Sequence, residues 1–353
     1  MVIDGILCLT HSSRNTDLRH CSLNTFTRRY SDSQRLKRLP PFHSLKPEGL
    51  DYFGALSLFR IQGTPESLQV NFLVSRRSNY KIQHAIFLDQ KTIAVLYESF
   101  IEILKFDITK SHTFSIEQKI EHPLLAGLHT IEKTHRNTLL ISASAPDAVL
   151  EINLLGKLER ILKMPEEIYG KGYDISPVTD LHINYIANDY QTTHINMASM
   201  TKDRKYILVS ALIPGAVGRF HYETGEYEEL TGGFLGCHGA REAYDGRIYF
   251  ADSVNGNLVF LDQKGRISER FSVNSRWLHD VLEIHPRIFT FTLSDYNNFQ
   301  IFNIDDEILL YKKKFIKYPN VIRHKYINIF FKNWLGIGNS TQFLSFFPLK
   351  END

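Results

Sequence analysis

Residues 237–271 read CHGAREAYDGRIYFADSVNGNLVFLDQKGRISERF, and this stretch decides the fold. A segment led by His238 meets a turn at Asp245-Gly246, then a β-rich run RIYFADS (247–253) and a turn from Val254 to Asn257. A second run, NLVFLD (257–262), leads through a turn at Lys264-Gly265 into RISERF (266–271). Short runs rich in Val, Ile, Phe, Tyr and Leu, bordered by Gly, Asn and Asp, are the signature of strands joined by tight turns. Four in succession predict a four-stranded antiparallel meander.

The same order recurs. It can be laid over the segments beginning at Leu128, His194 and His279, more loosely over one beginning at His84, and over a truncated one at His324. The leading histidines stand at 84, 129, 194, 238, 279 and 324, in steps of 45, 65, 44, 41 and 45 residues. One propeller blade takes about 40 to 50 residues. The spacing therefore predicts an all-β chain folded as a six-bladed β-propeller, with the long step holding a loop or lid insertion at about 165–190. The last repeat runs out after TQFLSFF (341–347), while β-rich runs at 55–61 and 68–74 precede the first histidine-led unit. Donation of an early strand to the last blade would close the ring and remove its exposed edge. His43, 41 residues before His84, leaves a seven-bladed ring as the alternative.

Composition agrees with a folded soluble chain. Of 353 residues, 43% are hydrophobic and 23% charged, and 41 Lys and Arg against 39 Asp and Glu leave a formal charge of +2. That balance does not suit a dedicated nucleic-acid binder, and no apolar run reaches the roughly 18 residues of a membrane span. Neither nucleic acid nor membrane is expected as a partner. Three cysteines, Cys8, Cys21 and Cys237, build no disulfide framework and match no zinc-binding spacing, which points to a reducing, cytoplasmic setting. Residues 1–50 read as a polar, flexible N-terminal segment, with an organelle transit peptide as a second reading of the Arg-rich part, and residues 51–353 as one propeller domain. The interleaved Lys, Arg and aromatic residues of 311–332 read as a solvated outer strand.

The first strand of each blade lines the central channel, so equivalent positions converge on one axis. Histidine makes up only 15 of 353 residues, yet it leads all six repeats. Neutral imidazoles gathered at one point suit a divalent transition metal, Fe or Zn first, because each supplies a nitrogen lone pair without adding charge. His129, His194, His238 and His279 head the four best repeats and are the expected ligands, with His84 and His324 behind them. Alternation along the inner strands adds Glu242 and Glu283 as proton-handling residues, with Arg241, Asn196 and Asp280 to bind substrate and Arg241 as the anchor for an anionic group. Two bland readings stand beside this one. The histidines form hydrogen bonds within their own blades, as in WD-type repeats, although no Trp-Asp pair is present; or they line a polar pocket without metal.

The repeat, with DGRIYFADSVNGNLVFLD (245–262) as its clearest copy, resembles the NHL and gluconolactonase-like six-bladed propellers over roughly residues 54–350. Peptidyl-hydroxyglycine amidating lyases of that broad group place a metal on channel histidines. The set His129, His194, His238 and His279 also resembles the four iron-binding histidines of the carotenoid-cleavage oxygenases. The resemblance implies a metal-dependent enzyme of lyase, hydrolase or oxygenase type acting on a small organic molecule. The competing expectation is a non-catalytic scaffold that binds a protein partner on one propeller face.

Overall fold

The computed structural model describes residues 2–14, 42 and 43, 52–106 except 79, and 113–186 except 173, 177, 178 and 184. It also describes 191–315 except 295 and 297, and 340–349. Among these residues six antiparallel sheets of four strands stand around one axis, so the chain is a six-bladed β-propeller. Blade 1 is Ile82–Phe87, Thr92–Tyr97, Ile101–Phe106 and Phe114–Ile120; blade 2 is Leu128–Lys133, Thr138–Ala143, Ala148–Asn153 and Leu158–Lys163. Blade 3 is Ile195–Met200, Tyr206–Ala211, Ala216–His221 and Tyr227–Thr231; blade 4 is Cys237–Glu242, Ile248–Asp252, Asn257–Leu261 and Ile267–Ser272. Blade 5 is Leu278–His285, Ile288–Leu293, Asn298–Asn303 and Ile308–Lys314.

Blade 6 closes the ring in a way the repeat did not spell out. Its inner strand is C-terminal, Ser340–Pro348, and its other three strands are N-terminal: Ile3–Arg14, Tyr52–Thr64 and Ser67–Ser78. N-terminal donation therefore occurs, but with three strands. Residues 3–14, expected within a flexible tail, form a strand in which Leu7 and Leu9 are fully enclosed. TQFLSFF belongs to an innermost strand; His324 lies outside the described residues. His43, the basis of the seven-bladed alternative, lies in a two-residue strand (Phe42–His43) paired with Tyr185–Ile186 and heads no blade.

Inner-strand residues of neighbouring blades pack on one another, and most blade-to-blade surface is aliphatic or aromatic, as in the herringbone of Tyr249, Phe260 and Phe289. Buried polar groups tie the closing strand across the ring. Asp280 accepts from the Leu344 N–H at 2.9 Å, and His84 Nε2 donates to the Leu344 carbonyl at 3.0 Å. Thr10 Oγ1 donates to the Gln83 carbonyl at 2.7 Å and accepts from the Phe343 N–H at 3.1 Å. Such bonds satisfy backbone groups that dry burial would otherwise penalise.

The insertion leaves blade 2 at Lys163 and returns at Ile195. Both points lie at the end of the ring where the inner strands begin, since Lys163 pairs with Ala148 and the neighbouring Ala143 pairs with Leu128. The insertion carries a four-residue helix, Glu166–Tyr169. Ile175, Leu181 and Ile186 bury against Leu124, Leu125 and Ala126, and His182 Nε2 hydrogen-bonds the Leu125 carbonyl at 2.9 Å. The insertion is thus folded down over the link between blades 1 and 2. Among the described residues no helix is long and apolar enough to cross a membrane.

Candidate functional site

Four of the expected histidines stand in two pairs near the end of the ring where the inner strands begin. The rings of His129 and His194 lie 4.8 Å apart between centroids, and those of His238 and His279 4.9 Å. Phe343, fully buried on the closing strand, stands 4.7 Å from His279 and 6.3 Å from His129. Trp277 lies 5.8 Å from His238.

These rings do not all arrive by the same route. His129, His238 and His279 are each the second residue of an inner strand. In blade 3 that slot belongs to Asn196, and His194 stands just before the strand. The hydrogen-bond frame fixes the correspondence: the carbonyls of Gly127, His194, Gly236 and Trp277 accept from the N–H groups of Ser144, Leu212, Ser253 and Ser294. Gly127 and Gly236 have φ of 62° and 80°, and His194 shares the left-handed region at 49°. For a residue with a Cβ this costs about 1–3 kcal/mol and persists only when the surroundings impose it. Asp147 imposes it. Its carboxylate accepts from the N–H groups of Thr192, Thr193 and His194, at 2.6, 3.3 and 2.7 Å, and from the Thr193 hydroxyl at 2.7 Å.

Burial keeps the rings of His129, His194 and His238 neutral. Desolvation, with smaller contributions from neighbouring imidazoles and Lys81, lowers His194 to about 3 and His129 well below its ordinary value. His238 also falls to about 3, chiefly by desolvation and then by His279. Two tautomers follow from the partners. His194 Nδ1 donates to Gln191 Oε1 at 2.5 Å, and His238 Nδ1 faces the Gly236 carbonyl at 3.3 Å and Ser253 Oγ at 2.8 Å. In both rings Nε2 is left as a bare lone pair.

Nitrogen donors of this kind suit a transition metal, but the arrangement does not gather them. Among the described residues no three His, Cys, Asp or Glu side chains come together closely enough to hold an ion, and the rings meet as two pairs. The side chains as they stand do not fit the Fe or Zn centre expected from the repeat. His84 is a strut and not a ligand: Nδ1 accepts from the Ile131 N–H at 3.1 Å, Nε2 donates to Leu344, and both nitrogens are used between blades.

The remaining expected residues are committed elsewhere. Asn196 donates to the Cys237 carbonyl at 2.8 Å and accepts from Ser210 Oγ at 2.7 Å. Arg241 and Asp280, expected at the mouth as substrate-binding groups, form a buried two-pronged ion pair with N–O distances of 2.7 and 3.1 Å. Gly239 makes room for it, because a Cβ there would lie 2.6 Å from Asp280 Oδ1. Glu242 accepts from the Lys202 N–H at 2.7 Å; Glu283 accepts from the N–H groups of Tyr244 and Arg287 at 2.6 and 2.9 Å. Four residues along a strand is about 13 Å, so both carboxylates stand near the far end of the channel from the rings and cannot exchange protons with them.

Glu132 was not singled out in the sequence. It is a half-buried carboxyl that receives the Met200 N–H at 3.1 Å, and desolvation, opposed by that bond and by Arg241, raises its pKa to about 7. It lies three residues beyond His129, and a β-bulge between Leu128 and Thr130 interrupts the two-residue alternation used to choose Glu242 and Glu283. Only the bulge, invisible in the residue pattern, could have pointed to it.

No family model matches the chain, and no curated protein is matched. Among solved structures, one of a nidogen/laminin complex aligns with a TM-score of 0.55 at 9% identity, over 88% of this chain and 94% of that one. A streptogramin B lyase structure aligns with a TM-score of 0.48 at 11% identity, over 88% and 89%. Virginiamycin B lyase from Staphylococcus aureus gives 0.46 at 13% identity, over 79% and 84%. At 9% identity the nidogen/laminin likeness is one of fold alone.

Proposed function

We propose that the chain is an enzyme acting on a small organic molecule at the imidazole-lined mouth, through chemistry of hydrolase or lyase type. One observation carries this reading: His194 occupies a left-handed backbone position that glycine fills in blades 2 and 4, held there by the half-buried Asp147 carboxylate and with its ring brought against His129. A scaffold would keep glycine there at no cost. Backbone strain held by dedicated hydrogen bonds is the kind of expense found where a side chain has work to do. The rings of His129, His194 and His238, neutral through the physiological range, act as hydrogen-bond acceptors. The bare Nε2 atoms of His194 and His238 orient a bound hydroxyl or water, while Phe343 closes the floor and the described part of the insertion, with Ile175, Leu181 and Ile186, stands beside the opening.

The test is turnover on a panel of esters and lactones, followed by proton release, with and without added Zn²⁺ or Fe²⁺. The double variant His194→Ala/His238→Ala is expected to keep its β-sheet circular dichroism and lose activity about 100-fold or more. Equal turnover in the folded double variant, or none on any member of the panel in the wild type, would overturn the reading and favour a protein-binding scaffold.

A further inference from the structure

We propose that Gln191 is a positioning residue for His194: its side-chain amide, oriented by the Ile186 carbonyl of the insertion, fixes the ring as the Nδ1–H tautomer and so makes the ring's Nε2 the acceptor. The inference rests on the reading of the imidazoles as a reactive site and names the group that decides which nitrogen is the base. Gln191 is almost wholly enclosed, at 6% exposure. Its NH2 group donates to the Ile186 carbonyl at 3.1 Å, and its Oε1 meets His194 Nδ1 at 2.5 Å. A carbonyl oxygen only accepts, so the amide can present only its NH2 group to Ile186. Its oxygen is thereby turned toward the ring. That oxygen also only accepts, so the proton of the contact sits on His194 Nδ1, and in a neutral imidazole Nε2 then carries the lone pair.

The backbone atom at the start of this chain of bonds is itself fixed. Ile186 is buried with Ile175 and Leu181 against Leu124, Leu125 and Ala126, and its strand, Tyr185–Ile186, pairs antiparallel with Phe42–His43. His194 is held from two sides. Asp147 of blade 2 accepts from its backbone N–H and supports the left-handed turn, whereas Gln191 accepts from its ring. The two tautomers of a neutral imidazole have nearly the same shape, so packing alone does not choose between them; the amide does. In the other tautomer Nε2 carries the proton and can neither orient a bound hydroxyl as acceptor nor take its proton.

Ring ¹⁵N chemical shifts of the histidine-labelled full chain report the tautomer, and turnover on the ester and lactone panel reports its use. Gln191→Leu removes the acceptor. It should bring the Nε2–H form of His194 to about half of the population or more and lower turnover about tenfold or more, with the β-sheet circular dichroism unchanged. Gln191→Glu keeps an oxygen acceptor against Nδ1 and should retain the Nδ1–H form and most of the turnover. His238, whose Nδ1 faces Ser253 Oγ, should keep its tautomer in both variants. A wild-type His194 in the Nε2–H form, which needs no variant to detect, or an Nδ1–H form that Gln191→Leu leaves intact, would overturn the assignment while the imidazole site stands. A tautomer that switches in Gln191→Leu with turnover unchanged would uphold the control by Gln191 and overturn the use of His194 in the reaction. The tautomer is read whether or not any panel member is turned over, so the two failures are told apart.

Discussion

His11 offers a quantitative test of how dry the propeller interior is. It lies on the second strand of blade 6, fully buried, edge-on to Phe315 at 4.4 Å, and neither ring nitrogen has a hydrogen-bond partner among the described residues. Desolvation lowers its pKa from 6.5 to about 3. Because the folded value lies below the unfolded one, the neutral ring's contribution is intact above pH 6.5 and is lost as pH falls from there towards 3. For these two values linkage gives almost nothing at pH 7.5 and a loss of about 2 kcal/mol at pH 5. His11→Leu removes the titration and the unpaired nitrogens, whose burial costs about 1–3 kcal/mol. The variant should be no less stable than the wild type at pH 7.5 and should gain about 2 kcal/mol on it by pH 5, as measured by urea unfolding at both values. His84, at about 4, and His194 and His238, at about 3, each add a similar loss. With His11 the wild type loses on the order of 8 kcal/mol by pH 5, comparable with the whole stability of a typical domain. Parallel loss of stability in variant and wild type between the two pH values would refute the reasoning.

Asp147→Ala should leave three backbone N–H groups of residues 192–194 without their acceptor. The expected result is a destabilisation of about 2–4 kcal/mol, with amide exchange in 191–194 accelerated well beyond that in blade 5. Gly239→Ala places a Cβ 2.6 Å from Asp280 Oδ1 on a backbone with φ of 66°. It should cost about 3–5 kcal/mol in chemical unfolding, since both the left-handed strain and the buried Arg241–Asp280 pair bear the change.

The repeat made the ring legible because each blade needs the same turn chemistry at the same offsets, and Asp245-Gly246 and Lys264-Gly265 display it openly. What the pattern could not carry was register within the inner strand. Counting from a histidine placed His194 in the slot that hydrogen bonding gives to Asn196, and counting by twos across a bulge pointed to Glu242 and Glu283 but missed Glu132. The fates of Arg241 and Asp280 were hidden for a different reason. A charged pair on adjacent blades looks identical in sequence whether it meets a ligand or its own partner. The closing strands, at opposite ends of the chain, show no repeat to each other, so the three-strand donation had to be seen in space.

The account turns on imidazoles from separate blades meeting as neutral, one-sidedly hydrogen-bonded rings. Histidine-selective ¹⁵N and ¹³C labelling, with nuclear Overhauser spectra across pH 5.5 to 8, measures this directly. Ring-to-ring cross-peaks between His129 and His194 and between His238 and His279 are expected. His194 and His238 should remain in the Nδ1–H form without titrating over the range. Rings that titrate near pH 6.5 and show no contact with one another would contradict the account.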